Sequence, residues 1–186
     1  EYKGGSQSST QQIRDVDSIK NRYFFIHPWF RNGVDSSIVN NLVIHNVNIP
    51  SFYPLVNGLH YIGNLVVKNF ELYKSINTND AGAVTGTAFI DPLNTTDSLF
   101  NDDNETGYFI RLESGTNYEL SADLGYIRLR DMVMNEILGC SFILEDRNTG
   151  QVVLEVGSPA DSLGTNLSLM MLKPRNSHPN HPSWPL

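Results

Sequence analysis

Ten short apolar runs, none longer than fourteen residues, follow one another from Arg22 to Leu172 with Gly, Asn, Asp or Pro between them. They occupy 22–30 (RYFFIHPWF), 37–49 (SIVNNLVIHNVNI), 60–73 (HYIGNLVVKNFELY), 83–90, 108–112, 117–122, 126–134, 140–146, 151–156 and 166–172. Several alternate with period two. In YIRLR, Ile127 and Leu129 alternate with Arg128 and Arg130, the pattern of a strand with one wet face. FILEDRNTGQVVLEV, 142–156, reads as a hairpin, two apolar strands around a turn that ends in Asn148, Thr149 and Gly150. With no long amphipathic helix, the expectation is an all-β fold, an antiparallel β-sandwich. The strand count and a wide acidic loop favour a jelly roll over an immunoglobulin-like topology.

A chain of 186 residues suits one domain, which buries roughly 70% of its unfolded surface. Residues 20–172 form the expected β-sandwich domain, flanked by two arms. The first, 1–19, is Gly/Ser-rich and polar at its start. Ile13, Val16 and Ile19 then fall at spacing three behind a Ser9/Gln12 capping pair, which predicts a short helix. The second, 173–186 (KPRNSHPNHPSWPL), holds four prolines in fourteen residues and reads as an extended polyproline-like tail. A compact sandwich has little use for two such arms unless they dock on a neighbouring subunit, where an extended segment adds a strand to a sheet edge. Ile13, Val16, Ile19 and Trp184 are the anchors such docking offers.

The formal net charge of −7 opposes a partner that is nucleic acid or an anionic membrane surface. No apolar run approaches the roughly 20 residues that cross a bilayer as a helix, so membrane insertion is not expected. Cys140, the only cysteine, has no intrachain partner and apolar neighbours, and reads as a small buried hydrophobe. Twenty Asn, 17 Ser and 10 Thr against 5 Lys set the expectation of an extracellular or cell-surface protein.

Catalytic spacings are missing: no GxSxG, HExxH, GxxxxGK[ST] or GxGxxG occurs, so no enzyme is expected. The histidines His27, His45, His60, His178 and His181 provide no third ligand for a zinc site and read as structural or solvent-facing. Tyr23, Trp29, Tyr53 and Tyr61 are the aromatic candidates for stacking on a glycan, if they stand exposed on a flat or concave face. The simpler expectation for RYFFIHPWF is a strand buried on both faces, with Tyr23 and Phe25 on one and Phe24 on the other.

Between Lys74 and Arg111 there is no Lys or Arg, while Asp80, Asp91, Asp97, Asp102, Asp103 and Glu105 supply six negative charges. Within this segment, Asp102 to Glu113 matches the spacing of a twelve-residue calcium loop, with Gly107 at position 6 and Glu113 at position 12. A strand over 108–112 forbids it, because Glu113 then lies about 20 Å beyond Gly107. Thr106 and Gly107 are expected instead to close a hairpin turn. Calcium remains the one cofactor the sequence offers, through Asp97, Asp102 and Asp103 with loop carbonyls.

The sequence therefore predicts a structural, non-enzymatic subunit. It self-associates into an oligomer, filament or surface assembly, or docks to a partner, through its arms. The alternative is a carbohydrate-binding jelly-roll module with a structural calcium ion.

Overall fold

The computed structural model describes residues 22–26, 55–56, 59–60, 63–77, 80–93, 95, 104–158 and 166–176, with 55–56 and 59–60 as backbone only. Every regular element among them is a strand: β1 (Tyr23–Phe25), β2 (Leu55–Val56), β3 (Leu59–His60), β4 (Leu65–Ile76), β5 (Val84–Phe89), β6 (Glu105–Leu112), β7 (Tyr118–Ser121), β8 (Tyr126–Leu129), β9 (Leu138–Asp146), β10 (Val152–Val156) and β11 (Leu167–Lys173). One sheet has three strands, in the order β1-β8-β7, and another has six, in the order β10-β9-β11-β5-β6-β4. β2 and β3 form a separate pair.

The six-stranded sheet curls back on itself. β4 pairs with β6 on one side and with β9 on the other, so β4, β9, β11, β5 and β6 close into a ring, and β10 is added to β9 outside it. The fold is all-β, as the alternation predicts, but the larger sheet is not wholly antiparallel. β11 runs parallel to β5, with Leu167 opposite Gly86 and Met170 opposite Phe89. Five is an odd number, and an odd ring cannot make every neighbouring pair antiparallel. At least one parallel pair is a geometric requirement of closure.

Asn69 interrupts the closing strand. It adopts φ 49°, a left-handed conformation that asparagine tolerates better than most side chains, inside a register shift between Lys68 and Glu71. The extra residue reverses the phase of β4. Leu65 and Val67 before it share one core cluster with Leu72 after it, whereas an unbulged strand would send odd and even positions to opposite faces.

Two cores result, on opposite faces of the same strands. In the first, Phe24, Tyr118, Ile127 and Leu129 of the three-stranded sheet meet Leu65, Val67, Leu138, Cys140, Phe142, Leu144, Leu154, Val156, Met170 and Leu172. The second is built from Tyr73, Ala88, Phe109, Ile137, Leu167, Leu169 and Met171. A three-stranded sheet cannot lie within a five-stranded ring, so the first core is outside the ring and the second fills it. The interior leaves no room for large residues on every strand. A Cβ added at Gly86 would stand 2.6 Å from the Leu167 Cβ, and one at Gly139 would stand 3.0 Å from the Leu169 Cβ.

Thr106 and Gly107 do not close a turn, contrary to expectation. β6 begins at Glu105, with Thr106 opposite Thr87 and Gly107 opposite Gly86. The hydroxyls of Thr87 and Thr106 lie 3.0 Å apart, so a cross-strand ladder overrides the local turn preference of Thr-Gly. The hairpin at 146–152 does form as expected. Asp146 Oδ1 accepts from the amides of Asn148 (2.8 Å) and Thr149 (3.1 Å), and Gly150 supplies the positive φ of 68° that a side chain would resist.

Candidate functional site

The three-stranded sheet turns one face to the core and one to solvent. Hydrogen bonds from Ile26 N to Gly125 O (3.0 Å) and from Leu129 N to Arg22 O (2.7 Å) extend the β1–β8 ladder. β7 and β8 are joined by a turn in which Gly125 N donates to Ser121 O at 2.8 Å. Phe24 and Ile127 are paired and buried. One residue along, Tyr23, Arg128 and Glu119 form a row across the three strands, and alternation points that row outward.

Tyr23 is 39% exposed, so the expectation that RYFFIHPWF is buried on both faces fails at its first aromatic. Tyr23 belongs to an edge strand, whose outer face nothing among the described residues covers. Arg128 is on β8, and Arg130 follows directly after its end, its amide donating to Asn117 O at 2.9 Å. The Glu119 carboxylate lies 3.6 Å from Arg128 Nη1 and 3.8 Å from Arg130 Nη2, beyond the 2.7–3.2 Å of a hydrogen bond. The row thus presents a phenol ring and two guanidinium groups sharing one carboxylate.

A second exposed feature is the edge of the larger sheet. Ring closure leaves β10 as its only strand paired on a single side among the described residues. Leu154 and Val156 point into the first core, while Val152 stands 52% exposed. The only charge on β10 is Glu155, and a register shift separates Val152 from Leu154. Its hairpin is firmly held. Arg147 N donates to Asn64 O at 2.8 Å, and the Arg147 guanidinium pairs with Asp123 in the β7–β8 turn.

Among the described residues, one buried charge is tied into the fold. Lys173 is 1% exposed, and its ammonium donates to the carbonyls of Met134 (2.9 Å), Glu136 (3.2 Å) and Pro174 (2.9 Å). All three protons are engaged. Burial pulls its pKa below the ordinary lysine value, against the nearby carboxylates of Glu136 and Glu105. Burial would raise the Glu136 carboxyl, but the amides of Met134 and Asn135, both at 3.0 Å, hold it below the usual range. These contacts brace a loop that raises Met132 and Met134 into solvent on either side of buried Val133. β11 thus runs through Lys173, and Arg175 N donates to Glu105 Oε1 at 2.7 Å. The first residues of the proline-rich arm lie against the domain.

Cys140 is completely buried, and burial pushes its thiol far up, which leaves no thiolate for chemistry. At one mouth of the ring Tyr73 OH donates to Glu71 Oε2 at 2.5 Å, and Arg111 holds Glu71 Oε1 at 2.9 Å. Ser141, the cross-strand neighbour of Glu71, is buried and its Oγ has no partner.

Of the partner-, ligand- and metal-binding candidates read from sequence, Tyr23 alone is among the described residues, and it is exposed. Trp29, Tyr53 and Tyr61 lie outside the described residues, as do Ile13, Val16, Ile19 and Trp184 of the arms and Asp97, Asp102 and Asp103 of the acidic loop. Glu113 follows the end of β6, at the other end of that strand from Glu105, and its amide donates to Asn117 Oδ1 at 2.9 Å. The described residues include no group of three His, Cys, Asp or Glu side chains placed to hold a metal ion. Arg128, Arg130 and Glu119 were not foreseen as a site. Alternation in YIRLR marks the arginines as wet, but their place beside Tyr23 is a matter of register between distant strands. The sequence matches no family model and no curated protein.

Proposed function

We propose that this chain is a non-enzymatic, extracellular or surface-located structural subunit that assembles by adding an extended segment to the edge of β10. The observation that supports this is the asymmetry of the larger sheet. Ring closure gives five strands a partner on two sides, while among the described residues β10 pairs with β9 alone, the chain meeting β11 only beyond it at Ser158–Ser168, and Val152 stands exposed. Open edges are ready templates for strand addition, and proteins that do not use them commonly guard them with lysine or proline. β10 has neither, although it is short and bulged. In this reading the occupant is a terminal arm of a second copy. Packing of the three-stranded sheet on the six-stranded one supports a β-sandwich, and the closed ring makes the larger layer more barrel-like than a jelly roll or an immunoglobulin-like sandwich. Deleting residues 1–19 should convert the assembly measured by light scattering to monomer while the β signature in circular dichroism persists. Unchanged assembly would remove the N-terminal arm from the mechanism.

A carbohydrate-binding module is the second reading, favoured by the exposure of Tyr23 beside Arg128. Aromatic faces stack on the apolar faces of sugar rings, and flanking charged groups orient the hydroxyls.

A further inference from the structure

We infer that the outward face of the three-stranded sheet binds a polyuronate, an acidic polysaccharide whose carboxylates are taken by Arg128 and Arg130 and one of whose rings stacks on Tyr23. The inference rests on the carbohydrate-binding reading and narrows it to a ligand class. Arg128 lies on β8 and Arg130 directly beyond its end, about 7 Å further along if the chain stays extended, both within 4 Å of the Glu119 carboxylate, and Tyr23 is the direct cross-strand neighbour of Arg128. All three are more than a third exposed. Charge complementarity chooses the ligand. In a chain of net charge −7, this row carries two guanidinium groups against one carboxylate, a local excess of positive charge.

Glu119 shows what the arginines attract. Its carboxylate lies between them, 3.6 and 3.8 Å away, drawn toward both and hydrogen-bonded to neither. The planar forks are therefore available for the bidentate contacts that guanidinium makes with carboxylates. Tyr23 supplies the apolar face that a sugar ring covers. A nucleic acid would also offer anions and flat rings, but its denser charge meets stronger repulsion from the remaining acidic surface.

The experiment titrates the full chain with oligogalacturonate at low salt, with neutral dextran oligosaccharide, heparin oligosaccharide and single-stranded DNA as parallel arms. Oligogalacturonate should bind and weaken steeply with added salt, since the contacts are exposed charges. The double variant R128A/R130A should bind about tenfold or more weakly at unchanged melting temperature, two charge-assisted contacts being lost. Tyr23→Ala should weaken binding several-fold, roughly the value of one stacked ring. Glu119→Ala should tighten binding, because it removes the internal competitor. This gain does not depend on damaging the protein. Equal affinity of R128A/R130A and the unaltered chain for oligogalacturonate would overturn the inference. So would tighter binding of heparin or DNA than of oligogalacturonate. Dextran binding that Tyr23→Ala abolishes and R128A/R130A leaves intact would overturn the acidic class while sparing the carbohydrate-binding reading. Failure of every glycan arm would overturn both.

Discussion

β11 and β8 are strands with opposite exposure. β11 buries both faces, with Leu167, Leu169 and Met171 inside the ring and Met170 and Leu172 in the outer core. β8 buries Ile127 and Leu129 and gives Arg128 to solvent, with Arg130 exposed just beyond its end. The difference follows from closure. A strand inside a closed ring that is also covered from outside has no wet face, whereas the described residues cover the three-stranded sheet on one side only. Consequences for stability should therefore concentrate in the ring, and recognition should be confined to the outer row and the open edge.

Overfilling the ring is the most direct way to break this contrast. Gly86→Leu places a side chain where even a Cβ meets Leu167 at 2.6 Å, and the cost should be about 3 kcal/mol or more in urea melts. Emptying the ring comes next. Phe109 is fully buried, and Phe109→Ala should cost about 3–5 kcal/mol, against about 0.5 kcal/mol or less for Tyr23→Ala on the outer row.

Lys173→Met should cost about 1–3 kcal/mol at neutral pH, because the carbonyls of Met134, Glu136 and Pro174 lose their donor. Its pH dependence has a definite sign. Burial depresses the pKa of Lys173, so between that lowered value and the ordinary lysine value the unfolded chain binds more protons than the folded one. Stability contributed by this group rises with pH through that window. The difference between the unaltered chain and Lys173→Met should therefore widen in alkaline denaturant titrations, and a difference that narrows would contradict burial as the dominant cause. One interior substitution has the opposite direction. Ser141 Oγ is buried without a partner, so Ser141→Ala should stabilise by about 1 kcal/mol, read as a higher urea midpoint.

Local pattern carries much of this architecture. Alternation marked β5, β7 and β8, turn residues marked the β9–β10 hairpin, and the apolar run 166–172 marked β11. What it could not carry is pairing. HYIGNLVVKNFELY reads as one strand, and nothing within it announces that Asn69 reverses its phase or that only its second half pairs with β6 as well as β9. The parallel β5–β11 pair joins segments about eighty residues apart, and Thr106-Gly107 became strand because Thr87 and Gly86 lay opposite. The candidate site divides in the same way. Tyr23 was identifiable as an aromatic on an alternating segment, while Arg128 and Glu119 became its neighbours only through the register of three strands brought together by the fold.

The central claim is that the open edge of β10 is where assembly occurs, and the sedimentation behaviour of V152K/E155K tests it most directly. Both positions are exposed, so the variant should keep the melting temperature of the unaltered chain within the small range usual for surface changes. An incoming strand would have to bury or crowd the new ammonium groups, the device by which natural edges repel partners. The account predicts that the unaltered chain sediments as an assembly and V152K/E155K as a monomer at the same concentration. Identical sedimentation of the two would contradict it.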